Sequence, residues 1–330
     1  KDASEQGAGA NGRSYLNAFC PSNDDAGGGW NPSWLDHGGA YVPRHSAGEI
    51  MFDWVTDTKL PFGKFMQLVI EFLQKYCTTW LFDPLRIGIE KTVSGTALLL
   101  TYPPPIVIIV LVLAFAWWRH RSWGLCLFVL LGCLFIWNQG YWSNTMKTVS
   151  LVLWSAAIAM AVGIPLGVMA AHRPKLYAVL HPILDMMQTL PTLVYLIPMV
   201  ALFRLGFAPG LIATLIFALP APVRLTYLGI TSTPVALKEA GESFGSTKSQ
   251  LLWKVELPHA MPTIMAGVTQ CIMLSLSMVV IAGLVGAEGL GVDVVRAMGQ
   301  FNIPRGFEAG ACIVILAIVL DRLCRPKGAH

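Results

Sequence analysis

The sequence is poor in charge. Of its 330 residues only 13% are Asp, Glu, Lys or Arg, while 55% are hydrophobic and mean hydropathy is +0.59. Soluble globular domains carry about 25% charged residues, so a water-soluble fold would have no use for this many apolar side chains. Seven cysteines are present but no CxxC pair, which removes the usual zinc-ligand spacing. No Gly-rich phosphate loop of the Walker type occurs, so the chain does not bind ATP by that route. The seven histidines are scattered, and no cluster of His, Asp and Glu suggests a membrane enzyme. Catalytic, metal-binding and cofactor-binding residues are therefore expected to be absent.

What the chain does have is a series of long apolar runs. Examples are "LVLWSAAIAMAVGIPLGVMAA" (residues 151–171) and "TIMAGVTQCIMLSLSMVVIAGLVGA" (residues 263–287). Each is about the ~20 residues needed to cross a bilayer. The expected fold class is all-α, a polytopic membrane protein. About seven spans are predicted, near Ile106–Trp118, Gly124–Trp137, Thr145–Ala171, Met186–Phe203, Pro209–Leu228, Thr263–Ala287 and Phe307–Leu320. Prolines fall inside several of them, Pro165, Pro191, Pro198 and Pro220, and are expected to be tolerated there because neighbouring helices satisfy the freed carbonyls.

Before the spans, residues 1–60 are rich in Gly, Asn, Asp and Ser and read as an irregular tail. Residues 61–102 begin with apolar side chains at helical spacing: Phe62, Phe65, Met66, Val69, Leu73 and Tyr76. Two readings stay open for this amphipathic segment, a helix in the membrane interface and a helix packed on neighbouring protein. Residues 103–330 form the expected transmembrane domain.

Lysine and arginine counts orient such a chain, because cytoplasmic loops are enriched in them. One set of connections holds ten: Arg119, Arg121, Arg173, Lys175, Lys238, Lys248, Lys254, Arg322, Arg325 and Lys327. The opposite set holds four: Lys147, Arg204, Arg296 and Arg305. The first set is placed in the cytoplasm together with the C-terminus, and with seven spans the N-terminal tail is external. The net charge of +4 is thus accounted for by a cytoplasmic membrane face and needs no nucleic acid.

One charged stretch interrupts the apolar pattern, "EAGESFGSTKSQLLWKVELP" (residues 239–258). Pro234 stands near a helix start, Gly245 offers a turn or C-cap, Ser246 or Thr247 can cap a second helix, and Pro258 is expected to end it. A helix–Gly–helix finger projecting into the cytoplasm is one reading, a solvated loop the other. The segment resembles the EAA loop of ABC-importer permeases: Glu239 and Ala240, then Gly245, then Val255, Leu257 and Pro258. Gly241 stands where that family often has alanine, and Val255 where it often has isoleucine. "DMMQTLPTLVYLIPMVALF", "IFALPAPVRLTYLGI" and "LPHAMPTIMAGVTQCIMLSLSMVVIAGLVGAEGLG" further resemble the glycine betaine/proline betaine permeases, from about Trp137 to Leu323.

The resemblance implies a type I importer fold with a cytoplasmic EAA coupling loop at about 231–262. It implies a second permease copy in the bilayer, two cytoplasmic ATPase subunits carrying ATP and Mg, and an external substrate-binding protein. Glu239, Ala240, Gly245, Leu257 and Pro258 are then the ATPase-coupling residues, with Ala240 and Gly245 permitting close backbone approach. Gln188, Thr189, Tyr195, Ser275 and Ser277 are polar candidates for the translocation path; the other reading is that they bond neighbouring helices. Asp185 is expected at the membrane interface. Glu288 and Asp293 fall in an external connection, open either to the binding protein or to solvent. An ion-coupled secondary transporter is the competing class. It usually needs ionisable or broken-helix ion sites near the midplane, and the predicted spans are almost free of acids.

Overall fold

The computed structural model describes residues 62–325. Every regular element among them is helical. The expected tail, residues 1–60, lies outside the described residues.

Helices α1 (Phe62–Cys77) and α2 (Asp83–Thr101) are joined by a π-turn at Thr78–Phe82. The amphipathic start of this segment is packed on protein along one side. Ile70 and Leu73 lie against Leu202, Phe203 and Ala208, while Phe65, Leu68 and Phe72 stay exposed. Further on, α2 enters the bundle. The Val93 carbonyl accepts from Ser150 Oγ at 2.7 Å, and Thr96 Oγ1 accepts from Trp154 Nε1 at 3.0 Å.

α3 (Pro105–His120) and α4 (Trp123–Asn138) follow, then the 31-residue α5 (Trp142–His172). At 1.5 Å per residue α5 is about 46 Å long, more than the hydrocarbon thickness of a bilayer. α6 (Pro174–Thr189) and α7 (Thr192–Phe203) are followed by α8 (Phe207–Ala218) and α9 (Pro220–Thr231). A loop bearing α10 (Val235–Ser243) and α11 (Lys248–Leu251) leads through a second π-turn, Leu252–Glu256, into α12 (Leu257–Ser277). α13 (Val279–Leu284), α14 (Leu290–Gly299) and α15 (Ile303–Cys324) complete the chain.

All seven predicted apolar runs are helical, but they are not seven straight crossings. Among the described residues, three helices are long and apolar enough to cross a membrane: Trp142–His172, Phe207–Thr231 and Lys248–Leu284. The number rises to five if each bent pair is one span. One pair is Gly63–Thr101 with Pro105–His120, bent by 97°; the other is α6 with α7, bent by 93°. The second bend breaks the predicted run Met186–Phe203. Its cause is local, because Pro191 disfavours the α conformation at Leu190, whose ψ is 133°.

Between apolar helices in lipid there is no water to expel, so close packing of small residues carries the association. α9 shows this on two sides. A Cβ on Gly167 of α5 would lie 2.7 Å from the Val223 carbonyl oxygen, and one on Gly267 of α12 would lie 3.1 Å from Leu225 Cβ. The core between them is apolar, with Val152, Ala159, Leu211, Cys271 and Leu290 among its buried members.

Candidate functional site

The charged segment folds as two short helices set against each other. α10 follows Pro234 and closes with a Schellman motif. Ser246 N–H donates to the Gly241 carbonyl at 3.1 Å and Gly245 N–H to that of Glu242 at 2.8 Å. The motif needs a left-handed residue, and Gly245 supplies it at φ +75°. Thr247 is the next N-cap. Its Oγ1 accepts from Gln250 N–H at 3.3 Å, and its own N–H donates to Gln250 Oε1 at 2.9 Å. Reciprocal capping of this kind is worth about 1 kcal/mol per cap.

Two details differ from the sequence reading. Gly241 serves close approach within the loop, because a Cβ there would sit 2.7 Å from Leu251 Cδ1 of α11, whereas a Cβ on Gly245 would meet nothing of this chain within 4 Å. Pro258 does not end a helix. The π-turn carries the chain into α12, where Pro258 falls in the first turn and its missing N–H is tolerated.

Glu239 and Ala240 lie exposed on α10. Among the described residues no ion pair reaches Glu239. Phe244 is 92% exposed and Trp253 67%, with Val235 and Leu237 exposed beside them, so the loop presents apolar side chains outward. Leu257 is half-buried, packed against the cluster of Ile230, Ala260 and Ile264.

The sequence reading passed over the most buried acid of the loop. Glu256 is 3% exposed; its Oε1 lies 3.0 Å from Lys238 Nζ and its Oε2 2.9 Å from His172 Nε2.

The five path candidates are dispersed. Gln188 is half-buried and Thr189 exposed, both at the end of α6 before the bend. Tyr195 of α7 is buried with Leu196, Ala213, Met278 and Val285, and its hydroxyl has no partner among the described residues. Ser275 is buried with its hydroxyl likewise unpaired, whereas exposed Ser277 donates to the Met273 carbonyl at 3.1 Å. No hydrogen bond joins the five to one another among the described residues.

Asp185, expected at the interface, is bonded to a neighbouring helix. Its Oδ1 accepts from Arg224 Nη2 at 2.5 Å, and its Oδ2 lies 2.9 Å from His181 Nδ1. Beside this pair the rings of Tyr177 and Tyr227 stack in parallel, 3.6 Å between centroids. Arg224 inside the predicted run Pro209–Leu228 was the sequence signal for this cluster, since a charge within an apolar span needs a partner. On the opposite end of α5, Lys147 Nζ meets Glu288 Oε2 at 2.6 Å and Asn144 Nδ2 donates to Asp293 at 2.5 Å. Glu288 and Asp293 are therefore tied to α5 rather than simply solvated.

Residues 163–325 match the family described as binding-protein-dependent transport system inner membrane component. The chain is 44% identical to the glycine betaine transport system permease protein OpuAB of Bacillus subtilis, over 86% of this chain and 94% of that one. It is 49% identical to the glycine betaine/carnitine transport permease protein GbuB of Listeria monocytogenes, over 67% of this chain and 79% of that one. It is 40% identical to the glycine betaine/proline betaine transport system permease protein ProW of Escherichia coli, over 84% and 82% respectively. A solved chain from inward-facing forms of the MetNI methionine ABC transporter aligns with a TM-score of 0.49 at 24% identity, over 52% of this chain and 87% of that chain. The chain belongs to the inner-membrane permeases of binding-protein-dependent ABC importers, has their type I all-helical fold, and within them groups with the glycine betaine/proline betaine permeases.

Proposed function

We propose that this chain is the membrane-spanning subunit of an ATP-driven importer for glycine betaine- and proline betaine-type compatible solutes. In this reading it works as two identical copies, with two cytoplasmic ATPase subunits that carry the ATP and Mg, and an external binding protein that delivers the solute. The loop from about 231 to 262 docks the ATPase, and the chain itself catalyses nothing.

The observation that carries the reading is the capped two-helix loop with its outward apolar face. Phe244 and Trp253 stand exposed at the junction and on the second arm, where water contact is unfavourable. The Schellman turn and capping box hold the two arms in one geometry, so a force on them is passed on rather than absorbed. Glu239 is free to make charge-assisted hydrogen bonds with a partner. Leu257 and Pro258 join the second arm to α12 without a flexible link. The path candidates give no comparable local support: Tyr195 and Ser275 are buried within the bundle.

The test pairs two variants at one position. Gly245→Val forces a β-branched residue to positive φ, at a cost of about 1–2 kcal/mol; Gly245→Asn places there a residue that adopts this conformation readily. Gly245→Val should keep its membrane level but lose ATPase co-purification and glycine betaine uptake, while Gly245→Asn keeps both. Wild-type uptake that follows a sodium or proton gradient and ignores ATP would support a secondary transporter instead. Mass measurement of the complex should find two copies of this chain, and one copy beside a different permease would refute the symmetric pair.

A further inference from the structure

We infer that Glu256 is the pin through which the coupling loop moves the membrane bundle. Its buried carboxylate ties the first helix of the loop to the end of α5.

The two oxygens of Glu256 serve different elements. Oε1 takes Lys238 from α10, and Oε2 takes His172, the last residue of α5. The histidine is fully engaged. Its Nδ1 lies 2.9 Å from the Val168 carbonyl oxygen while its Nε2 faces Glu256, so both ring nitrogens meet oxygen acceptors. Lys238 supplies the positive charge beside one oxygen of Glu256, and the imidazole of His172 faces the other. A carboxylate 3% exposed is costly without such partners.

The surroundings make this contact matter. α10 buries no residue of its own, so no apolar core anchors it. Its side-chain ties among the described residues include the Gly241–Leu251 approach and the Lys238–Glu256 pair, both within the loop, and Glu256 carries the second onward to His172 of α5. Glu256 itself sits at the end of the π-turn that feeds α12, and widened turns of this kind recur at functional positions. From His172, α5 runs unbroken to its other end, where Asn144 and Lys147 hold Asp293 and Glu288. A push on α10 therefore has a continuous route: Lys238, Glu256, His172, the length of α5, and the connection between α13 and α14. Glu256 is a positioning residue in this scheme and touches no substrate.

The inference rests on the coupling-loop reading, and the experiment separates the two. The complete transporter, with its ATPase and binding protein, is reconstituted in proteoliposomes, and solute imported per ATP hydrolysed is measured. Glu256→Gln keeps the shape but removes the charge, and Lys238→Met breaks the pair from a partly exposed position. Each should co-purify with the ATPase as wild type does, yet lower solute moved per ATP by about tenfold, within the usual range of coupling between sites. The double variant should be no worse than Glu256→Gln alone, because both remove the same link. A normal ratio in Lys238→Met overturns the pin, even if Glu256→Gln fails to accumulate. If Gly245→Val abolishes uptake while both pin variants couple normally, only the pin falls. If all three transport normally with the ATPase bound, the loop reading falls with it.

Discussion

Asp185 of α6 and Arg224 of α9 face each other at 2.5 Å, a charged pair that joins the two helices. α6 buries only Leu184, so this pair and the Tyr177–Tyr227 stack are its main holds on α9. The two side chains are 44% and 34% exposed, which screens the pair and limits its worth to about 1 kcal/mol. Without Arg224, Asp185 keeps His181 beside it, so each single loss is expected to be modest. Asp185→Asn and Arg224→Met should each lower the melting temperature of the purified permease, and the double variant should lie closer to wild type than either single. A double variant whose loss equals the sum of the singles would mean the two residues act independently. Solute uptake measured alongside decides whether the pair also serves transport; a double variant that is stable yet inactive would place it on the path.

Among the described glycines, the one with least room for a Cβ is Gly291, where α14 meets α13. A Cβ on Gly291 would fall 2.0 Å from the Val279 carbonyl oxygen, and one on Gly283 would fall 2.5 Å from the Gly291 carbonyl carbon. These obstacles are main chain, so no rotamer change relieves them. Gly291→Ala should destabilise by about 3 kcal/mol or more, as overpacking at a rigid contact does. Gly95→Ala is the control. Nothing lies within 4 Å of its added methyl, and alanine in a helix interior is favoured over glycine by up to about 1 kcal/mol. Thermal unfolding in detergent reads both. A Gly291→Ala protein that melts with the wild type would show that α14 is not seated on α13 as described.

The parts of the loop that were legible in the sequence are those written within a few residues of one another. Gly245 followed by Thr247 spells the end of one helix and the start of the next, and the structure bears out both. Glu256 was not legible, because its meaning depends on His172, 84 residues earlier. Asp185 and Arg224 are 39 residues apart, and no local pattern joins them. Pro258 was misread for a different reason. Proline commonly stops an α-helix, but Pro258 follows a π-turn, and the chain runs on into α12 with Pro258 in its first turn. The apolar runs located the helices well, yet run length could not register the 93° bend, since Leu190 and Pro191 are apolar themselves.

The connections carrying ten Lys and Arg, the coupling loop among them, should face the cytoplasm, and those carrying four should face outward. Two exposed serines report the two sides. Ser143 lies at the start of α5, near Lys147, and Ser249 lies on α11 of the loop. Both are small, exposed and outside the apolar clusters, so cysteine there should not disturb packing. In a variant lacking the native cysteines, Ser143→Cys should react with a membrane-impermeant maleimide in cells whose inner membrane is intact. Ser249→Cys should react only after that membrane is opened, or in inverted vesicles. In a second variant that keeps Cys20 alone, the same reagent should label from outside if the N-terminal tail is external. Labelling of Ser249→Cys in intact cells, with Ser143→Cys protected, would reverse the orientation. It would then put the loop beyond the reach of any cytoplasmic ATPase.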